Sequence, residues 1–426
     1  MITVRLPRKS PAGRGCSSIS PAPSASRSVS TSEHGTLRRS DVIQPRGRAW
    51  ACAALALAAA VSGATARAQL PPDPAGTIEP LPPASPHWVW VNDVAFFAFP
   101  DGRAFLVDGD SGKMLGMLST GYSFTGVVAP KARGLIYSPE SYFSRGTRGA
   151  RTDVVTIYDA TRLVPVVEIE IPPKRASVMP MPGAQALTDD DRFLLIYNYT
   201  PAQSLTVVDT RSRKFVGEIE IAGCALVYPT GPRTFFSICG DGALLVTTLT
   251  DEGKVARSTR TAAFMDVLND PLTEKGVRRG DTWLFASFEG MLHPLRSTPT
   301  GVEAAPTWPL FTPQELTQHW RTGGLQHLAV HGGSGRLFAI VHQGGPETHK
   351  DLGNQVWVYD LVSHRRVQTV AMRNKVGSIQ VSQDPQPLLF ACSLENNRLD
   401  IYDATSGKYL RSVDPLGLTP TVLVTP

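Results

Sequence analysis

Seven times along this chain a short apolar run breaks at a tight polar turn and resumes as a second apolar run. Five of the turns share one punctuation, an aspartate closing the run: Phe105-Leu-Val-Asp-Gly-Asp-Ser-Gly112, Ile157-Tyr-Asp-Ala-Thr161, Val207-Val-Asp-Thr-Arg211, Val358-Tyr-Asp-Leu-Val362 and Ile401-Tyr-Asp-Ala-Thr-Ser-Gly407. A unit of this size cannot bury its own apolar faces and must stack on copies of itself. Val, Ile, Tyr and Phe fill the runs, while Asp, Gly, Ser and Pro fill the gaps, so the unit is made of strands. Repeated strand units close into a propeller.

Each unit has room for four strands. The third reads Ala186-Leu187, Phe193 to Tyr197, Leu205 to Asp209 and Phe215 to Ile221, with a polar turn at Asp189-Asp-Asp191. The second opens with Gly126 to Ala129, and the fifth, the weakest, offers only Trp283 to Phe288, Met291 to Leu295 and Val302 to Leu310. The first unit also has three strands, Trp88 to Val91, Ala104 to Asp108 and Met114 to Leu118. An unpartnered run, Thr421 to Thr425, follows the seventh unit. Placing that run in the first unit seals the ring and removes exposed sheet edges. The expectation is therefore an all-β, seven-bladed propeller over residues 87–426, closed by its C-terminal strand in the first blade. The rival, an open β-sandwich, leaves the last strand unused.

One helix interrupts the pattern. Thr312-Pro-Gln-Glu315 supplies an N-cap, a proline at the first helical position and a capping-box glutamate. That helix is expected to run to about Trp320 and stop at Gly323-Gly324. The hairpin about Gly231-Pro232 sets Cys224 opposite Cys239 and predicts a disulfide, worth roughly 3 kcal/mol by loop entropy. Cys392, within an apolar run, reads as a small core residue.

The N-terminus reads as an export signal. Arg46 and Arg48 precede an apolar run from Ala49 to Val61, and Ala66-Arg67-Ala68 before Gln69 has the small-residue pattern of a cleavage site. Residues 1–68 are accordingly assigned to a disordered preface and signal peptide, with cleavage near Ala68 and a periplasmic destination, and 69–86 to a Pro-rich linker. Residues 1–45 are best explained by a mis-assigned start, and second by a long n-region. Arg38-Arg39 fits a twin-arginine signal badly, because Ser40 and Asp41 follow it. Cys16 and Cys52 leave with this segment, and export makes a disulfide permissible in the remainder. The net charge of +5 is concentrated in the first 48 residues, and the folded part is close to neutral. With no basic run backed by aromatic residues, a nucleic-acid partner is not expected. The apolar run is short for a membrane span.

A self-contained active site is missing from the sequence. There is no Gly-x-Ser-x-Gly elbow, phosphate-binding glycine loop or His-Glu-x-x-His pair. His327, His331, His342 and His349 cluster in the sixth unit, and a strand spacing of four puts His327 and His331 on one face. No thiolate or carboxylate set accompanies them, so hydrogen bonding or rim positions fit better than a metal. Asp189-Asp-Asp191 reads as a solvated turn.

From about Trp88 onward the chain resembles the large (heavy) subunit of the quinoprotein amine dehydrogenases, the methylamine and aromatic amine dehydrogenase family. The stretches that carry the resemblance are Val91-Asn-Asp93, Gly112-Lys-Met-Leu-Gly116, Phe143-Ser-Arg-Gly-Thr-Arg-Gly-Ala-Arg-Thr-Asp-Val154, Ile171-Pro-Pro-Lys-Arg175, Cys224, Ser237-Ile-Cys-Gly-Asp-Gly242, Trp320-Arg-Thr-Gly-Gly324 and Thr348-His-Lys350. Pro172-Pro-Lys-Arg175, Ile238-Cys-Gly-Asp-Gly242 and Glu347-Thr-His-Lys350 are more similar to the aromatic amine branch. Phe99-Pro-Asp-Gly102, an abbreviated first-blade turn, and the poorly matched fifth unit depart from the pattern.

The resemblance implies a seven-bladed scaffold without catalytic residues of its own. Two such chains would bind two small, cysteine-rich light chains. Each light chain would carry tryptophan tryptophylquinone and the aspartate base that oxidise a primary amine to aldehyde and ammonia. Electrons would leave to a blue-copper protein. The family also places an aromatic residue at the substrate channel just after its first-blade Asn-Asp; here the matching positions are Phe96 and Phe97 in Asn92-Asp93-Val94-Ala95-Phe96-Phe97. An aromatic wall selects amines by side-chain size, whereas the plainer reading makes both residues packing groups. On strand alternation only one of the two can face the channel. Two other functions compete. A solitary secreted propeller of the YVTN type would bind without catalysis, and a pyrroloquinoline-quinone enzyme would need eight blades.

Overall fold

The computed structural model describes residues 79–96, 98–122, 126–175 and 181–426. The expected signal peptide and cleavage site, with Cys16, Cys52 and Phe97, lie outside the described residues. Seven antiparallel sheets follow one another along the chain and make a seven-bladed β-propeller. Pro420–Val424 pairs with Trp88–Asp93, placing Leu423 opposite Val91 and Val422 opposite Asn92. The first blade then runs Pro420–Val424, Trp88–Asp93, Gly102–Asp108, Lys113–Gly121, so the C-terminal strand closes the ring. Gln326 of the sixth blade grips the same strand, donating to Leu423 O (3.0 Å) and accepting from Leu423 N (2.8 Å).

Burial falls from the inner to the outer strand of each blade. Leu328–His331 is buried throughout, whereas the outermost strand of the fourth blade, Val255–Arg260, is exposed throughout. The core lies between neighbouring blades, for example Phe193, Leu195 and Tyr197 of the third against Tyr228, Phe235 and Phe236 of the fourth. No helix among the described residues is long and apolar enough to cross a membrane.

The repeated aspartate has one job in all five turns. Its carboxylate accepts backbone N–H groups of the turn: Asp159 from Thr161 and Arg162 (both 2.8 Å), Asp209 from Arg211 and Ser212 (both 2.9 Å), Asp360 from Ser363 (2.7 Å), Asp403 from Ser406 (2.6 Å) and Asp108 from Asp110 (3.1 Å). Four residues on, each turn needs a left-handed residue: Gly112 (φ 70°), Leu163 (55°), Arg213 (55°), His364 (57°) and Gly407 (72°). Copies one and seven meet that need with glycine. The left-handed region costs a side-chain-bearing residue about 1–2 kcal/mol, while glycine adds entropy to the unfolded chain. Arg213 is exposed. Arg213→Gly is therefore expected to stabilise the fold by about 0.5–1 kcal/mol, read as a rise in the denaturation midpoint.

Three local expectations need correction. The inner strand of the second blade shrinks to a single bridge, Val128 to Tyr137. The fifth blade gains an inner strand, Val277–Arg279, too short to show periodicity, and Trp308–Pro309 pairs separately with Met291–Thr298. The helix spans only Pro313–Thr317, although its capping box is present between Thr312 and Glu315. His319 adopts φ 64° and ends the helical path, so Trp320–Thr322 leaves as a strand paired with Arg336–Gln343. Cys224 does sit opposite Cys239, and the two form a disulfide; Cys392 is buried and free.

Candidate functional site

Each blade is an antiparallel meander, so the end of its second strand and the start of its first lie on one face of the disc. The aspartate turns lie on the other. All but one of the stretches that carry the family resemblance map to the first face. Asp93, Phe143, Cys239 and Gln343 end second strands there. Arg175, Cys224 and Gly324 sit where the chain enters or approaches a first strand. Only Gly112 to Gly116 belongs to the opposite face.

At the first blade this face is organised by Asn92 and Asp93, both buried. Asn92 donates to Val422 O (3.0 Å) of the closing strand and accepts from Val127 N (2.9 Å) of the second blade. The Asp93 carboxylate accepts from Ala95 N (2.9 Å), Leu418 N (2.7 Å), Thr419 N (2.8 Å) and the Thr419 hydroxyl (3.3 Å). Phe96 follows in a turn, half-buried, with its N–H donated to Thr419 Oγ1 (2.8 Å). The strand ends at Asp93, and Ala95 takes φ 47°, so strand alternation does not govern which way Phe96 points.

At the second blade, Arg175 is fully buried and donates to Tyr122 O (2.9 Å), Ser141 Oγ (3.0 Å) and Pro139 O (2.9 Å); burial holds its guanidinium down to about 10. Glu140 is also buried, with Tyr142 OH and Thr156 Oγ1 donating to Oε2 (both 2.6 Å). The Tyr158 hydroxyl has one proton and two acceptors in reach, Ser119 O (2.9 Å) and Glu140 Oε1 (3.1 Å). Protonating Oε1 satisfies all of them, since it then donates to the Tyr158 oxygen. Burial likewise raises the Glu140 carboxyl above its ordinary 4.5, against the pull of these hydroxyls. A raised folded-state value means stability present below the ordinary value and lost as pH rises through the raised one. Glu140→Gln, a neutral isostere, is expected to gain about 1–2 kcal/mol over the native chain at pH 8 and to lose that advantage at pH 4, by thermal denaturation.

The histidines do not converge on a metal, and no group of three or more candidate ligands occurs among the described residues. His327 lies just before its strand rather than on it, with Nε2 against Thr273 Oγ1 (3.2 Å). His331 contacts Ser334 Oγ (2.8 Å) and Asp384 O (3.0 Å), and His342 contacts Thr348 Oγ1 (2.8 Å). His349 stacks on Phe288 at 3.9 Å; burial, then Lys275 and Lys350, hold its imidazolium down to about 4. Lys275, which the sequence did not single out, is buried with no hydrogen-bond partner for Nζ among the described residues and has Glu274 Oε1 at 3.5 Å. A polar cleft of about 510 Å³ on the same face is lined by His342, Lys350, Asp351, Lys375 and Glu395, among others.

The sequence profile of the methylamine dehydrogenase heavy chain (MADH) family matches residues 86–426. Among the most similar relatives is the methylamine dehydrogenase heavy chain of Paracoccus versutus, 31% identical over 340 residues that cover 79% of each chain. The heavy chains of Methylophilus methylotrophus (30%, covering 75% of this chain and 78% of that one) and Methylorubrum extorquens (30%, 80% and 83%) are equally similar. Solved structures show the fold alone. A putative 6-phosphogluconolactonase from Bacteroides fragilis has a TM-score of 0.55 at 10% identity, covering 83% of this chain and 99% of that one. A functionally unknown protein from Desulfotomaculum acetoxidans has 0.54 at 12%, covering 79% and 98%. The profile match over the whole ring, with relatives at this identity and coverage, makes this chain a member of the methylamine dehydrogenase heavy chain family.

Proposed function

We propose that the chain is the large, scaffold subunit of a periplasmic amine dehydrogenase, docking a small cysteine-rich catalytic subunit on the face that carries Asp93, Phe143, Arg175, Cys239 and His349. The observation behind this reading is the gathering of the resemblance onto one face, where a ring that merely bound ligands by chance would scatter it. Two large and two small chains would assemble. Tryptophan tryptophylquinone is assigned to the small subunit, where it supplies the oxidation of a primary amine to aldehyde and ammonia.

This chain's own part is to bind, orient and exclude water. Phe96 would give the substrate channel an apolar wall whose position sets which amines pass. Phe97, the other candidate, lies outside the described residues. The mixed charges of the cleft near Lys350 suit a polar partner surface. A blue-copper protein would take the electrons. Co-expression with a short, exported, cysteine-rich chain is expected to yield a complex with quinone absorbance and amine-dependent dye reduction, while each chain alone is inactive. A colourless, monomeric propeller would instead favour a stand-alone binding module.

A further inference from the structure

We propose that Thr419 is a positioning residue for the channel wall: its hydroxyl, held by Asp93, fixes the backbone of Phe96. The claim that this matters to amine selection rests on the function proposed above; the claim about Phe96 itself does not.

Three observations meet at this turn. Thr419 Oγ1 donates to Asp93 Oδ1 (3.3 Å), which directs its lone pairs toward the first-blade turn. Phe96 N–H donates to that same oxygen at 2.8 Å. The turn closes on its far side when Ala98 N donates to Ala95 O (2.8 Å), and it opens with Ala95 at φ 47°, a conformation most side chains avoid. A turn starting from an unfavourable backbone angle keeps its shape only where its polar groups are tied down. The Phe96 N–H is tied by a residue 323 positions away, in the segment leading into the strand that closes the ring. Ring closure and placement of the aromatic wall are therefore one hydrogen-bonded network. The two backbone donors that reach Asp93 from the closing segment, Leu418 N and Thr419 N, need no Thr419 side chain. Loss of the hydroxyl should thus loosen the turn and leave the closing strand in place.

The variants are Thr419→Val, which keeps the shape and removes the hydroxyl, and Thr419→Ser, which keeps the hydroxyl. In the full chain alone, amide hydrogen exchange at Phe96 is expected to speed up about tenfold or more in Thr419→Val and to stay native-like in Thr419→Ser, with Leu423 protected in both. Unchanged Phe96 exchange in Thr419→Val, or equal acceleration in both variants, overturns the proposal. In the assembled complex, Thr419→Val is expected to shift the kcat/KM ratio of 2-phenylethylamine to methylamine about five- to tenfold, through KM, with Thr419→Ser near native. Phe96→Ala separates the two ideas. If it leaves the ratio untouched, the channel reading fails while the exchange result still decides the positioning claim. If Phe96→Ala moves the ratio and Thr419→Val does not, Thr419 does not position the wall.

Discussion

Replacing Asp93 by alanine is expected to destabilise the propeller by about 3–5 kcal/mol, among the largest losses available from one surface-proximal loop. The carboxylate is 1% exposed and accepts three backbone N–H groups and one hydroxyl. Truncation strands those donors in a site too tight for ready hydration: a Cβ on Gly417 would already lie 2.2 Å from Asp93 Oδ2. Each buried donor left without an acceptor costs about 1–3 kcal/mol, and partial relaxation keeps the sum below the simple total. Two of the three donors belong to Leu418 and Thr419, so the loss falls on the strand that seals the ring. Asp93→Asn keeps one strong acceptor and should give roughly half the loss. Chemical denaturation reads the effect as a lower midpoint with an unchanged slope, and amide exchange should accelerate at Val422 and Leu423. A midpoint within about 0.5 kcal/mol of native in Asp93→Ala would show that the closing strand is held by its ladder alone.

What could be read from residues alone follows from how local the cause is. The aspartate turns are legible because cap, turn and left-handed residue lie within five positions. Ring closure is legible by counting, since the seventh blade is complete without Pro420–Val424 and the first blade lacks a strand without it. The Cys224–Cys239 pair follows from one hairpin. The second blade's inner strand misled because Gly126, at φ 70°, lies against Asn92: a Cβ there would sit 1.8 Å from Asn92 Oδ1. Side-chain bonds from Asn92 of the first blade to Val127 and from Gln185 of the third blade to Gly126 take the place of a ladder, and no periodicity records that. The helix misled because its stop is His319 in a left-handed conformation, one turn before the glycines that look like the natural stop.

The site was less legible than the fold. Phe96 came only from resemblance, and its anchor Thr419 lies at the other end of the chain. Glu140 and Lys275 belong to no motif in the sequence, yet both are buried. Glu140 sits in a strand next to Pro139 and Ser141, where nothing local marks burial of a carboxyl. Its partners Tyr142, Thr156 and Tyr158 come together only when strands Leu135–Phe143 and Arg151–Asp159 pair. Groups of this kind become visible when sheets are assembled, which is why functional faces resist reading from one sequence.

Removing the disulfide with Cys224→Ala and Cys239→Ala together is expected to lower stability by about 3 kcal/mol, from a crosslink spanning 15 positions. Both residues are buried in the cluster shared by the third, fourth and fifth blades. Alanine avoids placing hydroxyls there, so the loss reports the crosslink and a small cavity rather than an unsatisfied polar group. Reductant during unfolding should lower the native midpoint by a similar amount and leave the double variant unchanged; equal midpoints for native protein with and without reductant would mean the bridge contributes nothing. Cys224 belongs to the fourth blade and Asp93 to the first, and no strand pairing among the described residues joins those sheets. Independent, distant sites add within about 0.5 kcal/mol. If the ring unfolds as one unit, Asp93→Ala combined with the alanine pair should lose the sum of the two effects in a single transition. A second transition appearing in the combined variant would mean that the seal at the first blade and the crosslinked fourth blade melt separately, and that closure of the ring does not bind the seven blades into one cooperative structure.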